Sequence, residues 1–344
     1  MTLRVIHVGL MGDRPGGMAQ VVNEFLSWES NRLGVRGWTT ARRRRDPLGP
    51  AFLALALLKL LTLRIFARVP TVIAVHLSEG GSFVREGFVL RAAHSLGIPT
   101  VAHLHGAEFE RFARERPHLV RKVLDAARII AVLTSKSENV VRELLGEAAI
   151  VELIPNLVAV PPARSRKERV VLFCGEVGLR KGADVLLDAW SRNTWPADWS
   201  LALAGPVAMS TAGYLPMAGV ELLGPVGHDE ALALQDRAAI AVLPSRNEAL
   251  PMFLLEAMAR GCAPVSTDVG EVGSLLSDGC GLVVPAGDAP RLGHAIRRLI
   301  EDETLRNVIS TNARDRISRS YSSSVHQEDV VRIWARAADC STVQ

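Results

Sequence analysis

The sequence is poor in aromatic residues, in paired cysteines and in familiar nucleotide-binding motifs. Only 5% of its 344 residues are aromatic, so its cores must be largely aliphatic. The four cysteines are far apart and none forms a C-x-x-C pair, which argues against a disulfide framework or a cysteine zinc site and favours a reducing compartment. The first glycine loop has neither the G-x-G-x-x-G pattern of dinucleotide-binding proteins nor the G-K-[ST] of a P-loop.

Membrane and export signals are also missing. The first ten residues, MTLRVIHVGL, predict a strand and lack the apolar stretch and small-residue cleavage site of a signal peptide. No run of 18 or more uncharged apolar residues is present, so we expect no transmembrane helix.

Positive charge is in moderate excess. The formal net charge is +4 at pH 7 and the sequence isoelectric point is about 9.1. This balance fits anionic small molecules or an acidic membrane surface, but it is too small to indicate nucleic acid. Hydrophobic residues make up 48% of the chain, which is enough apolar material for two domain cores.

Short apolar segments alternate with helical patterns along the chain. Each half begins with a strand, a glycine-rich turn and an amphipathic helix, near residues 3–28 and 170–190. Strands that alternate with helices indicate parallel sheets covered on both faces, so we predict an α/β fold. The predicted strands are residues 3–8, 37–40, 69–75, 99–105, 128–133, 170–174, 199–204, 220–223, 239–243, 263–267 and 281–284.

A polar, proline-containing segment at 161–169 is the best candidate for a linker. We therefore predict an N-terminal domain at 1–160 and a second domain at 161–324. A C-terminal helix at about 325–340 is expected to pack back on the first domain.

The first glycine loop allows two interpretations. Gly16 and Gly17 lie between the first strand and a helix, where backbone N–H groups at a helix N-terminus can bind an anion. A simple tight turn explains the same residues equally well.

A basic cluster, Arg42–Arg45, precedes a strongly apolar helix at 50–68. Together they could dock on an anionic bilayer. Alternatively, the helix covers the sheet and its basic residues lie at the rim. We favour the buried helix, and keep the arginines as a surface contact with anionic lipid.

Three histidines fall near predicted strand ends. Because chemistry collects at the carboxyl ends of parallel strands, His105 could contact a sugar or phosphate oxygen. We expect His76 and His103 to be structural.

The stretch 244–270 contains two glutamates eight residues apart, Glu248 and Glu256, in a strand–loop–helix–strand pattern. The pattern places Glu248 on the loop and Glu256 about two turns into the helix, beyond the carboxyl end of a strand where ligands bind in such sheets. Two isolated glutamates would more often be solvated surface charges.

The whole set of motifs resembles the retaining glycosyltransferases of family 4, which carry an E-x7-E motif. That family has the GT-B fold, two Rossmann-like domains with parallel sheets facing across a cleft. The resemblance covers nearly the whole chain and is most specific in its second half. It rests on Gly16-Gly17, HLHGAEF at 103–109, IPN at 154–156, FCGEVGLRKGADVLLDAW at 173–190, LALAGP at 201–206, LPSRNEALPMFLLEAMARGCAPVSTDVGEVGSLLSDG at 243–279 and GLVVPAGD at 281–288.

This resemblance implies a role for each matching residue. Glu256 would accept hydrogen bonds from the donor ribose, and Glu248 would lie near the donor sugar and its anomeric carbon. Lys181 would pair with the diphosphate, and His105 would reach the donor sugar. The remaining implied substrate-binding residues are Gly16 and Gly17, near the phosphates and acceptor, and Ala249, Leu250, Pro251 and Met252, whose backbone would lie against the sugar or diphosphate.

One position departs from the family pattern. The family usually has an arginine after the glycine of the second-domain turn, and this sequence has Glu176. A departing diphosphate needs cationic or N–H partners, so Arg180 beside Lys181 is expected to substitute.

The resemblance implies transfer of a sugar from a nucleoside-diphosphate sugar of UDP or GDP type, with retention and without a metal or other cofactor. The basic cluster and apolar helix favour a lipid-linked saccharide acceptor and a cytoplasmic enzyme peripheral to the inner face of the plasma membrane. The alternatives are a soluble transferase with a small-molecule acceptor, a GT-B-like epimerase or phosphorylase, or a non-catalytic nucleotide-sugar-binding protein. No nucleic acid is expected, and the oligomeric state is not predicted.

Overall fold

The computed structural model describes residues 3–12, 16–41, 46–162, 166–210 and 216–339. Its residues fall into two compact units. The first unit comprises Met1–Gly12, Met18–Asn156 and His326–Gln344, and the second comprises Asp13–Gly17 and Leu157–Val325. The long stretch of the second unit begins at Leu157, so the described part of the 161–169 segment lies inside that unit and not at its boundary.

The first unit is built around a six-stranded parallel sheet with the strand order β2-β1-β3-β4-β5-β6. Its strands are β1 (Leu3–Gly9), β2 (Leu33–Thr39), β3 (Thr71–Leu77), β4 (Thr100–Leu104), β5 (Ile129–Val132) and β6 (Val151–Leu153). Its helices are α1 (Gly17–Leu26), α2 (Gly49–Phe66), α3 (Gly81–Ser95), α4 (Phe109–Glu115), α5 (Pro117–Leu124), α6 (Ser135–Leu145) and, at the end of the chain, α13 (Ser323–Asp339).

The second unit also contains a six-stranded parallel sheet, with the order β12-β11-β10-β7-β8-β9. Its strands are β7 (Glu168–Cys174), β8 (Ser200–Ala204), β9 (Val220–Gly224), β10 (Ala238–Leu243), β11 (Ala263–Thr267) and β12 (Leu282–Val284). Its helices are α7 (Ala183–Ser191), α8 (His228–Arg237), α9 (Met252–Ala259), α10 (Val272–Leu275), α11 (Ala289–Glu301) and α12 (Glu303–Ser320).

The central strands of both sheets are buried on their two faces, as their aliphatic sequences require. Every residue of β3 and of β10 is buried. Continuous apolar strands of this kind need helices on both sides, which the intervening segments supply. The predicted α/β fold with two Rossmann-like domains is confirmed, and each predicted strand overlaps an observed one.

Strand order decides where a ligand site can form in each unit. In the second unit, the order read in chain sequence is 3-2-1-4-5-6, and it reverses between β7 and β10. In the first unit it reverses between β1 and β3. Loops that leave two such strands diverge to opposite sides and open a crevice at the carboxyl edge of the sheet.

Helix α2 differs from the prediction of a buried helix. Of its residues only Gly49, Ala56 and Leu60 are buried, whereas Leu58 is 58% exposed and Phe66 is 73% exposed. By length and composition alone, α2 is long and apolar enough to cross a membrane, so the expectation of no transmembrane helix stays a prediction. The basic cluster Arg42–Arg45 lies outside the described residues.

Candidate active site at the carboxyl edge of the second unit

Two loops meet where the strand order of the second unit reverses. One follows β7 and leads into α7, and the other follows β10 and leads into α9. The backbone N–H of Arg246 donates to the carbonyl of Arg180 at 2.9 Å, and the Arg246 guanidinium pairs with Asp184 at 2.7 Å. The two loops are therefore fixed to each other by both backbone and side chain.

Glu248 is the centre of a compact charged cluster on these loops. Its carboxylate is largely buried, with 8% of the residue exposed. The Nζ of Lys181 donates to its Oε1 at 2.5 Å, and the Ser245 hydroxyl donates to the same oxygen at 2.7 Å. The Nη1 of Arg180 lies 3.8 Å from it. A buried carboxylate needs such partners, because an unpaired buried charge is strongly destabilising.

Two glycines allow the loops to approach closely enough to form this cluster. Gly270 has φ +57°, and a Cβ atom on it would lie 2.1 Å from the carbonyl oxygen of Glu248. Gly182 has φ +72°, and its Cβ would lie 1.8 Å from the carbonyl oxygen of Pro244. Any side chain at either position would displace the backbone that carries Glu248.

Glu256 lies in α9, a helix whose eight residues are all buried. The helix begins at Met252, with Pro251 as its N-cap residue, so Glu256 is little more than one turn in rather than two. Its Oε2 accepts a hydrogen bond from the Gln235 amide at 3.3 Å, and its Oε1 lies 3.9 Å from Nε2 of His228. This carboxylate therefore has different partners from Glu248 and is suited to accept hydrogen bonds from hydroxyl groups.

Cys174, at the end of β7, lies within electrostatic range of both halves of this site. Burial and, to a smaller extent, the charge of Glu256 together raise the pKa of its thiol to about 12, although Lys181 acts in the opposite direction. The thiol stays protonated at neutral pH, so it does not supply a nucleophile.

The segment between the two glutamates is mostly apolar. Leu250, Pro251 and Met252 are buried and Ala249 is half-buried. The backbone N–H of Glu271 donates to the carbonyl of Ala249 at 2.9 Å, which fixes the segment from behind. The predicted site residues from Lys181 to Glu256 are thus brought together at one edge of one sheet.

Glu176, the departure from the family pattern, is exposed on the loop after β7. Arg180 is half exposed, and its guanidinium also donates to the carbonyl of Asn247 at 3.4 Å. Arg180 thus lies beside Lys181 at the Glu248 carboxylate. This is the position expected if Arg180 takes the role of the family's arginine, which is Glu176 in this sequence.

The remaining predicted residues belong to the N-terminal part of the chain. His105 lies just beyond β4, and its Nε2 is 2.8 Å from Nδ1 of His76. Burial lowers the pKa of His105 to about 4, so its ring is neutral at pH 7. Gly16 has φ +129° and Gly17 begins α1, but residues 13–15 of their loop lie outside the described residues. The anion-binding role of that loop stays a prediction.

Sequence reasoning missed several partners of the site. Ser245, Gln235 and Cys174 were not singled out, and neither was His7, which contacts His76. Only Ser245 carried a local signal, since it lies three residues before Glu248 in the same loop. The others come from distant parts of the sequence.

Known proteins resemble this chain in both sequence and fold. Residues 160–316 match the family described as glycosyl transferases group 1. The fold resembles that of HepE from Anabaena in complex with UDP-glucose, with a TM-score of 0.73 and 17% identity, over 96% of this chain and 99% of that one. The fold is therefore that of the GT-B class. The sequence similarity to the group 1 glycosyltransferase family lies in the C-terminal half of the chain.

Two curated relatives show the range of the sequence similarity. The alpha-D-kanosaminyltransferase of Streptomyces kanamyceticus is 28% identical over 48% of this chain and 45% of its own length. The phosphatidyl-myo-inositol mannosyltransferase of Mycobacterium leprae is 30% identical over 57% of this chain and 56% of its own length. The chain spans about half the length of these relatives.

Proposed function

We propose that this protein transfers a sugar from a nucleoside-diphosphate sugar to an acceptor hydroxyl, with retention at the anomeric carbon and without a metal or other cofactor. The observation that carries the proposal is the arrangement of Lys181, Arg180 and Glu248 where the strand order reverses. Cations for a diphosphate and a carboxylate for the sugar lie side by side there. Glu256 lies about one turn into α9. It has its own partners, Gln235 and His228, as expected of a group that holds the ribose.

In this mechanism the sugar–phosphate bond breaks through an oxocarbenium-like state. The leaving diphosphate gains negative charge, which Lys181 and Arg180 stabilise. Glu248 orients the sugar and stabilises positive charge on its ring. The acceptor hydroxyl attacks on the face that the diphosphate leaves, and its proton passes to the departing phosphate oxygen.

The donor is proposed to be of UDP or GDP type. The solved relative HepE has been crystallised with UDP-glucose, which supports a uridine nucleotide for the present chain. In the free protein Lys181 is held by Glu248. A bound diphosphate would share this cation with Glu248.

We test the reaction by incubating the protein with labelled UDP-sugars and GDP-sugars, with and without a lipid-linked saccharide. Slow release of nucleoside diphosphate alone and faster release with acceptor are expected, and NMR of the product should show the donor's anomeric configuration. Tight donor binding without turnover for any acceptor would contradict the proposal, and an inverted product would contradict retention.

For the acceptor we propose a membrane lipid-linked saccharide, with the enzyme peripheral on the inner face of the plasma membrane. The support is the exposed apolar face of α2, formed by Leu55, Leu58, Leu61, Ile65 and Phe66. Arg64 lies in its last turn, and Lys59 lies 5.4 Å from the Trp38 ring centre. An apolar stripe flanked by cations suits an anionic bilayer. The acyl region of the bilayer would give the exposed side chains an apolar contact.

Flotation with liposomes tests this surface. We expect the wild type to float with vesicles containing anionic lipid more than with neutral vesicles. The double variant Ile65→Ser, Phe66→Ser should lose most of this binding. Val308→Ser is the matched control, since Val308 is also an exposed apolar residue on a helix, but in the second unit. Equal flotation of all three proteins would exclude α2 as the docking surface.

The second candidate is a soluble transferase with a small-molecule acceptor, which the similarity to the kanosaminyltransferase favours. The same flotation assay separates the two candidates. A protein that turns over donor with a soluble acceptor, and ignores vesicles, belongs to the second class.

A further inference from the structure

Four histidine rings collect on one face of the first sheet. His7 is in β1, His76 in β3, His103 in β4, and His105 follows two residues later. His76 and His103 are paired directly in the parallel register, and residues two apart on a strand share a face. The His76 ring stacks on those of His103 and His105, with ring centres 4.9 and 5.0 Å apart.

Three of these rings are joined end to end. Nδ1 of His7 lies 2.8 Å from Nε2 of His76, and Nδ1 of His76 lies 2.8 Å from Nε2 of His105. Each contact has the length of a hydrogen bond, so one of its two nitrogens must carry a proton. The rings are neutral at pH 7, because burial lowers the pKa of each one, with the nearby histidines adding to the effect on His7 and His76.

A neutral imidazole has one donor nitrogen and one acceptor nitrogen. If His7 donates from Nδ1, then His76 must donate from its own Nδ1, and His105 must carry its proton on Nδ1. If His105 donates from Nε2 instead, all three rings carry their proton on Nε2. With both hydrogen bonds present, only these two uniform arrangements are possible.

We propose that His7 and His76 are positioning residues that set the tautomer of His105 and present its Nδ1–H as a hydrogen-bond donor. The use of that donor towards a sugar or phosphate oxygen rests on the proposed function. The coupling of the three rings does not, since it follows from their contacts alone.

The surroundings of the two ends favour this direction. Among the described residues, neither Nε2 of His7 nor Nδ1 of His105 has a hydrogen-bond partner. Nε2 of His7 belongs to a fully buried ring that contacts the rings of Phe25 and Trp334. His105 instead borders a small cavity, together with His103 and Asn156. Because unpaired buried N–H groups are rarer than unpaired acceptors, a proton on Nε2 of His7, between the Phe25 and Trp334 rings, is disfavoured, and His105, whose ring borders the cavity, carries its proton on Nδ1.

A metal site is the competing use of these rings. Ligand nitrogens of His76, His103 and His105 lie within 4.8 Å of one another. However, two of these rings are already in direct contact, and Nε2 of His103 accepts a hydrogen bond from the Trp334 indole at 3.3 Å. The contacts that exist therefore favour the hydrogen-bonded chain.

Nitrogen-15 NMR of the histidine rings in the full-length protein tests the proposal directly, because protonated and bare ring nitrogens give well-separated signals. We expect His7, His76 and His105 all to be protonated at Nδ1 at pH 7. In His7→Phe the aromatic contact remains but the nitrogen is lost, and His105 should become a mixture of tautomers. His7→Asn places an amide where Nδ1 was and should restore the single form. His94→Asn, on an exposed histidine of α3, should change none of these signals.

A proton on Nε2 instead of Nδ1 in any of these three rings of the wild type would overturn the proposal. A His105 signal that is identical in all variants would overturn it as well. If one equivalent of Zn²⁺ shifts the ring signals of His76, His103 and His105 together, these rings form a metal site and not a hydrogen-bonded chain.

If transfer occurs, His7→Phe should also lower kcat about tenfold, since about one hydrogen bond is lost, and His7→Asn should restore kcat. A protein without transferase activity but with uniform tautomers would contradict the proposed function and leave this coupling standing.

Discussion

The two sheets have similar architecture but opposite chemistry at their carboxyl edges. In the second unit, Glu248 is held by Lys181 and Ser245, so opposite charges compensate each other. In the first unit, His7, His76 and His105 are packed ring against ring, and burial keeps them neutral. The cluster around Glu248 therefore carries charge, whereas the histidine cluster of the first sheet carries directed hydrogen bonds without charge.

The difference shows that the mixture of acidic and basic groups in a buried cluster decides whether its members stay charged. A buried cluster of mixed sign keeps its charges, because each charge has a partner. A buried cluster of one basic type loses its protons, because desolvation and mutual repulsion both oppose the charged form. The Glu248 cluster suits a charged ligand such as a diphosphate, whereas the neutral histidine cluster suits a ligand hydroxyl.

The largest effect that we expect from this difference between the sheets is a loss of folding stability at acidic pH. The pKa values of His7 and His105 are lowered from 6.5 to about 3 and about 4. Below pH 6.5 the unfolded chain therefore binds more protons, so stability that is present above this pH is lost as the pH falls towards 4. The slope is on the order of 1.4 kcal/mol per pH unit for each such histidine.

Hydrogen exchange measured by mass spectrometry from pH 7 to pH 5 would locate this loss. After correction for intrinsic rates, we expect β3 to lose protection and β10 to keep it. His118→Asn, on an exposed histidine, is the control that should follow the wild type. Equal loss in both sheets would contradict the contrast between the two edges.

The next largest effect is expected from Glu248→Ala. This variant removes the carboxylate that we propose orients the reacting sugar, and it takes away the Oε1 to which Lys181 donates. We expect turnover to fall at least about a hundredfold with the fold intact. Steady-state kinetics and circular dichroism measure these two quantities. The control Glu230→Gln changes an exposed glutamate of α8 and should keep full activity, and near-normal turnover of Glu248→Ala would refute its role.

Gly270→Ala tests whether the charged edge depends on the backbone behind it. The new Cβ would lie 2.1 Å from the Glu248 carbonyl oxygen, and the residue has φ +57°. We expect a loss of about 2 kcal/mol in the free energy of unfolding, together with reduced activity. Urea denaturation compares it with Gly287→Ala, which shares a positive φ but has open space around it. If the two variants lose equal stability, strain alone is responsible and the close contact is unimportant.

Lys181→Gln should give the smallest effect of the set. The variant keeps a polar side chain but removes the cation nearest to Glu248, so UDP and GDP affinity should fall about tenfold. Calorimetric titration at low and high salt would measure this, and the variant should show a weaker salt dependence. Lys136→Gln, an exposed lysine in α6, is the matched control. A variant that binds both nucleotides as the wild type does would show that the diphosphate is held elsewhere.

Much of the fold and half of the site could be predicted from the sequence. The strands were predictable because buried parallel strands are short, aliphatic and bounded by glycine or proline. Glu248 and Glu256 were found because a single loop–helix segment carries both. The histidine chain was not found, since it joins residues 69 and then 29 positions apart in the sequence and depends on which strands become neighbours.

Helix α2 shows a different limit of sequence reasoning. An apolar pattern all round a helix predicts burial only if enough protein surrounds it. Ala56 and Leu60 face the core of the first unit, but the opposite side, including Ile65, is exposed. Hydrophobicity therefore indicated that the helix needs an apolar neighbour, but not whether that neighbour is protein or lipid.

The return of the last helix has a consequence for synthesis on the ribosome. Trp334 of α13 is fully buried, and its ring contacts those of His7, Phe25 and Trp28. Domains commonly fold in the order in which they are made, from the N-terminus onward. Here the second unit is complete once residue 325 has emerged, whereas the first still lacks α13. The unit that is begun first is therefore completed after the second one, and the aromatic surroundings of His7 form only once the residues beyond 325 have been made.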